Sequence, residues 1–230
     1  MKKQSKITNK HSDAVSDSVK DGSSDYSGKS ILLSNGFAIL LAVIQGWPLF
    51  PLLVVYWSQS VIIGGFNVAR ILKLQRFATD GYTMNGRPVA ETKEAKTKTA
   101  WFFAIHFGIF HFVYLIFLAG GAFDFIKTLE GEKSLTFELL WILFAVVGFL
   151  ISHAFSYRRN VEADLEGRPN IGLMMMLPYL RIIPMHLTII VGGALSSGGW
   201  LMIIFMVLKT AADYGMHIAE HRIMRKLKQS

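Results

Sequence analysis

The sequence predicts an all-α fold, a polytopic integral membrane bundle of about six transmembrane helices with both termini cytoplasmic. Three observations predict it. First, 52% of the 230 residues are hydrophobic and only 17% are charged, with a mean hydropathy of +0.38. A soluble domain carries about 25% charged residues, so this chain lacks the polar groups to cover a water-facing surface. Second, the chain alternates long apolar runs with short polar ones, and each run approaches the roughly 17 to 25 residues that a bilayer core demands. Third, Lys and Arg are distributed almost entirely to one side of the topology those runs imply. Six lie in residues 1–30, seven in 70–99, three in 158–170 and four in 222–230, twenty of the 24 in all. The positive-inside rule then places both termini in the cytoplasm and the chain in a plasma (inner) membrane.

The elements follow in chain order. Residues 1–30 are Ser-, Lys- and Asp-rich without apolar periodicity and predict a disordered polar cytoplasmic tail. They are not read as a secretory signal, because the apolar residues begin only at Ile31. The transmembrane domain is expected over 31–221. Its runs are Ile31 to Trp47, Pro51 to Leu72, Trp101 to Phe123, Leu135 to Tyr157, Ile171 to Leu195, and Gly199 to about His217. The first is the shortest, holds Asn35, and is separated from the second by little more than Trp47–Pro51, which implies a tight or re-entrant helical hairpin. The fifth carries Pro178 and Pro184, which free backbone carbonyls and predict a kink. Backbone groups in lipid must be satisfied within the segment, so helices are expected, and the alternation of a barrel strand is missing. Residues 222–230 form a basic cytoplasmic C-terminus.

The +8 net charge therefore records insertion direction and contact with anionic lipid headgroups rather than nucleic acid. The absence of cysteine excludes disulfides and thiolate chemistry. No Walker loop, dinucleotide fingerprint or ordered serine triad is present.

Intramembrane polar residues are costly and are functional candidates by default. Six of the seven histidines lie in or at the ends of the runs: His106, His111, His153, His186, His217 and His221. Gln59, Asn67, Arg181, Lys209 and Asp213 accompany them. At about 1.5 Å of rise per residue, these groups fall in the inner half of the membrane. The last run holds the sharpest pattern, with Lys209, Asp213, His217 and His221 recurring every four residues along one helix face. Histidines at i and i+4 can share a metal ion. The set His106, Asp213, His217 and His221 is thus a candidate zinc site, with iron or copper as alternatives. His217 to His221 also spells H-x-x-E-H, the order of inverted zincins, with Glu220 in the place of the general base. Blander roles compete with each of these: histidines near span ends bond backbone carbonyls, and Lys209 with Asp213 forms a buried ion pair. The paired glycines at 64–65, 120–121 and 192–193 read as close-packing points.

Three function classes follow. In the first, zinc activates a water that hydrolyses an amide or ester bond in a lipid-like substrate, with Glu220 moving the proton. In the second, Arg181, Lys209, His186 and His111 line a cavity that binds or transports an anionic small molecule or lipid. In the third, histidines on facing helices ligate haem and Arg181 meets a propionate.

The stretches YWSQSVIIGGFNVARI (56–71), PYLRIIPMHLTIIVGG (178–193) and KTAADYGMHIAEHR (209–222) together resemble an uncharacterised prokaryotic integral-membrane family known as a domain of unknown function. The resemblance covers roughly residues 35–225. It implies that Arg181, His186, Asp213 and His217 belong to a signature. An acidic residue often stands where this chain has Gln59, and the chain departs from the pattern there. A looser likeness, limited to the H-x-x-x-H pair on the last run and the multi-helix histidine layout, is to the seven-span ceramidase and progestin-receptor superfamily of membrane hydrolases.

Overall fold

A computed structural model describes residues 48–128, 135–194 and 200–227, with a few positions between 33 and 46. The expected tail (1–30) and most of the first apolar run lie outside the described residues. The chain divides into two compact units, residues 48–202 and residues 1–47 with 203–230, which are taken in turn.

The first unit is helical apart from one small hairpin. Helix α1 runs Leu49–Lys73, α2 Lys93–Thr128 and α3 Leu135–Glu166. The fifth apolar run folds as a short helix α4 (Ile171–Met176), a 3-10 turn (Leu177–Arg181) and α5 (Ile182–Ala194). Pro178 stands at the start of the 3-10 turn, and Pro184 falls in the first turn of α5, where its missing N–H is tolerated. The kink expected from the two prolines is thus a turn of tighter helix. Among the described residues, four helical segments are long and apolar enough to cross a membrane: Leu49–Lys73, Lys93–Lys127, Leu135–Glu166 and Ile171–Thr188.

The packing of α1 follows from side-chain size. Tyr56, Ser60, Gly64, Asn67 and Ile71 recur every three or four residues and are buried, so they form one stripe of the helix. Gly64 lets α2 approach: a Cβ built there would lie 2.6 Å from the Phe107 ring. Facing it, α2 buries Ala100, Phe103, Phe107, His111, Tyr114 and Leu118 at the same spacing. The opposite face of α2 leaves Trp101, Phe102, Ile105, Ile109, Phe112, Ile116 and Phe117 exposed, and α3 does the same with Phe137, Leu140, Trp141 and Phe144. So much contiguous apolar surface is costly in water and compatible with insertion into lipid.

In the sequence, residues 70–99 stand out only for their seven basic side chains, and 74–92 lie within them. The segment is instead a folded strap. Asn85 (φ 52°) and Gly86 (φ 74°) make a two-residue turn joining strands β1 (Thr83–Met84) and β2 (Arg87–Pro88), as an Asn-Gly pair favours. Ala78 docks beside the segment before α4: its N–H donates to the Pro169 carbonyl (2.9 Å) and its carbonyl accepts from the Ile171 N–H (3.0 Å). Asn170 joins the two, its Oδ1 accepting from the Leu173 N–H as an N-cap and its Nδ2 donating to the Asp80 carbonyl. Arg168 pairs with Glu91, whose carboxylate raises the arginine's already high pKa. Lys96 Nζ donates to the Leu74 carbonyl. Arg70 forms a two-bond pair with Asp164 at 2.7 and 3.0 Å, tying the end of α1 to the end of α3.

In the second unit the described positions between 33 and 44 are helical, and α6 spans Trp200–Leu227, its residues from Ile203 onward belonging to this unit.

Candidate functional site

Polar side chains of the first unit gather where α1 and α2 meet the broken helix. Arg181, last residue of the 3-10 turn, is only 8% exposed. Its Nη2 donates to Gln59 Oε1 on α1 at 3.4 Å, and its guanidinium carbon lies 4.9 Å from the centroid of the Tyr56 ring, within range of a cation–π attraction. Tyr56 and Gln59 are nearly one turn apart on α1, so a single stretch of that helix presents an aromatic face and an amide to one guanidinium.

Residue 60, next along α1, serves a different partner. His111 is 5% exposed, with Nδ1 2.8 Å from the Phe107 carbonyl and Nε2 2.9 Å from Ser60 Oγ. A carbonyl only accepts, so Nδ1 carries the proton, and in the neutral ring the Ser60 hydroxyl donates to Nε2. The ring stacks on Phe107 with centroids 4.2 Å apart. Trp57 Nε1 donates to the His111 carbonyl, adding another tie between α1 and α2.

Two further histidines follow the same rule. His106 Nδ1 lies 2.9 Å from the Tyr179 hydroxyl on the 3-10 turn, and His186 Nδ1 on α5 lies 3.1 Å from the Tyr114 hydroxyl on α2. Each of the three histidine bonds therefore joins α2 to another element through a hydroxyl. Such bonds supply polar adhesion between helices whose apolar surfaces, if in lipid, would give little drive to associate. A further inter-helix contact is Asn67 on α1, whose Nδ2 donates to the Met174 carbonyl of α4 at 2.9 Å.

The candidate metal residues are placed as follows. His106 is exposed and bonded to Tyr179 as described, with Phe102 stacked against it at 5.3 Å. On α6, Asp213 accepts from Lys209 Nζ at 2.7 Å, both partly buried. The side chains of His217, Glu220 and His221 lie outside the described residues. Among the described residues no group of three or more His, Asp or Glu is placed to hold a metal ion. Of the residues expected to hold a ligand, Arg181 and His111 are buried between helices, His186 bonds Tyr114 from an exposed position, and Lys209 bonds Asp213.

Gln59 and Asn67 are conspicuous in the sequence as polar residues in apolar runs, whereas Tyr56, Ser60, Tyr114 and Tyr179 are not. The available signal was their hydroxyls: on an apolar helix such a group needs a partner, and the histidines are the complementary groups.

Residues 19–230 match a family described as a Family of unknown function (DUF6498). The chain belongs to the DUF6498 family. The match takes in all the helices described above, and with them Arg181, the three histidine–hydroxyl pairs and the Lys209–Asp213 pair. No curated protein and no solved structure matches this DUF6498 chain.

Proposed function

We propose that this protein is a multi-pass membrane protein that binds an anionic group, a carboxylate or a phosphate, beside Arg181 and either carries it across the membrane or holds it there. The observation that supports this reading is the discontinuous helix. A 3-10 turn that holds Pro178 and is followed by Pro184 brings a buried guanidinium to α1, against an amide and a phenol ring. Non-helical backbone at membrane depth is tolerated where it is enclosed by protein or lines a cavity, and broken helices recur at substrate sites of transporters. The guanidinium's rigid fork of donors matches a carboxylate or phosphate. The same reading puts the basic regions 70–99 and 158–170 and both termini at the cytoplasmic face, in contact with anionic headgroups.

The test is ligand-dependent stability in lipid nanodiscs. In phosphatidylcholine discs, inorganic phosphate or citrate raises the unfolding midpoint; at a hundredfold excess over Kd the shift corresponds to about 2.7 kcal/mol. In discs containing phosphatidylglycerol without added anion, a raised midpoint identifies the lipid headgroup as the source. Arg181→Gln abolishes either response, and Arg181→Lys, which keeps the charge without the fork, weakens it. Equal responses in wild type and both variants would overturn the reading.

A further inference from the structure

In a regular α-helix the carbonyl of residue 174 accepts from the N–H of residue 178. Residue 178 here is proline and has no N–H. The Met174 carbonyl is the one that accepts Asn67 Nδ2, at 2.9 Å, from a helix more than a hundred residues earlier in the chain. Both residues are buried, Asn67 at 6% and Met174 at 8% exposure. A buried carbonyl deprived of its donor is destabilising, and the amide orientation is dictated by chemistry, because only the NH2 group can donate to a carbonyl. The preceding acceptor is served within the helix: the Leu173 carbonyl takes the Leu177 N–H.

From this coincidence of one missing donor and one supplied, we infer that Asn67 is a positioning residue that replaces the hydrogen bond Pro178 removes and thereby fixes the break that presents Arg181 to α1. The break matters geometrically. The five residues Leu177–Arg181 turn as a 3-10 helix, at about 120° and 2.0 Å per residue instead of about 100° and 1.5 Å. Rewinding them as α-helix swings Arg181 by about 100° around the axis and draws it back by about 2.5 Å, away from Gln59 and Tyr56. Asn67 and Pro178 thus act as one device, proline opening the helix and the amide of a second helix closing the gap it leaves. The assignment of Asn67 stands on this geometry, and its consequence for ligand binding rests on the anion reading above.

The experiment is a double-mutant cycle with Asn67→Leu and Pro178→Ala in the full chain, reading unfolding midpoint and phosphate response in phosphatidylcholine discs. Pro178→Ala returns an N–H to position 178, so Met174 regains its helical donor. Asn67→Leu is expected to lower the midpoint sharply with Pro178 present and much less in the Pro178→Ala background. If Asn67→Leu fails to fold, folding of Asn67→Leu/Pro178→Ala supports the assignment and failure of both overturns it. Equal losses in the two backgrounds also overturn it. The phosphate response separates positioning from stability: the double variant recovers its midpoint yet binds phosphate about tenfold more weakly, as loss of one charge-assisted bond implies. Recovery of both would overturn the positioning role. Absence of any phosphate or lipid response in wild type would remove the anion reading and leave the stability cycle to decide Asn67 alone.

Discussion

His111 and Ser60 are joined by a 2.9 Å hydrogen bond between α2 and α1, and the second ring nitrogen of His111 is taken by the Phe107 carbonyl at 2.8 Å. Both nitrogens of a buried imidazole are thereby engaged by the protein itself, and the ring serves as a rivet between two membrane-length helices.

Ser60→Ala removes one bond and little volume, and should cost about 1 kcal/mol, the scale of a single hydrogen bond between membrane helices. His111→Ala empties a ring-sized space as well, and should cost about 3 kcal/mol. Chemical unfolding in mixed micelles measures both. A serine variant that loses as much as the histidine variant would contradict the rivet.

The adjacent glycines of α1 are predicted to behave in opposite ways. At Gly64 a Cβ would stand 2.6 Å from Phe107 Cε1, whereas at Gly65 nothing lies within 4 Å. Phe107 is itself held by its stack on His111, so Gly64→Ala should destabilise by about 1 to 3 kcal/mol through overpacking. Gly65→Ala should be neutral or stabilising by up to about 1 kcal/mol, because alanine loses less backbone entropy. Unfolding midpoints of the two single variants decide this, and Phe107→Leu should restore part of the Gly64→Ala loss.

These two cases show what was legible in the amino-acid order. Membrane-length helices are readable in composition because apolar residues occupy the exposed faces as well as the buried one, as on α2. The break near Pro178 is readable because proline carries its own backbone geometry. Gly64 could be read as a packing point but not distinguished from Gly65, since the difference is the position of Phe107 on another helix. The pairing of His111 with Ser60 was equally hidden: imidazole is as good a hydrogen-bond partner as a metal ligand, and nothing local to residue 111 points to residue 60. The strap was illegible for another reason. Its docking of Ala78 between Pro169 and Ile171 uses backbone groups, which every residue possesses.

The Arg70–Asp164 pair should hold α1 to α3 weakly and in a salt-dependent manner. Side-chain exposures of 27% and 12% place it between a surface and a buried pair, so Asp164→Asn should cost about 1 kcal/mol in low salt and less at high ionic strength. Arg70→Lys should not preserve the interaction, because one ammonium cannot make the two parallel bonds of a guanidinium. Unfolding midpoints at two salt concentrations check this, and a salt-independent loss would argue against an ionic contribution.

Metal analysis discriminates between the anion reading and zinc chemistry at His217 and His221. With the anion reading, a chelator leaves the unfolding midpoint unchanged and purified protein holds substoichiometric zinc. Zinc near one ion per chain, lost in His217→Ala together with chelator sensitivity, would transfer the assignment to a hydrolytic metal centre with Glu220 as its base.

The bond between Ala78 and the segment before α4 also imposes an order on biogenesis. Chains emerge from the ribosome N-terminus first, so α1, the strap and α2 are made long before Pro169 and Ile171 exist to accept and donate at Ala78. Until α3 and the residues that follow it have been made, the strap waits with those backbone groups lacking their partners. Its closure is a late event that follows synthesis of α3 and the segment after it, and a chain truncated before residue 169 should expose the strap to protease.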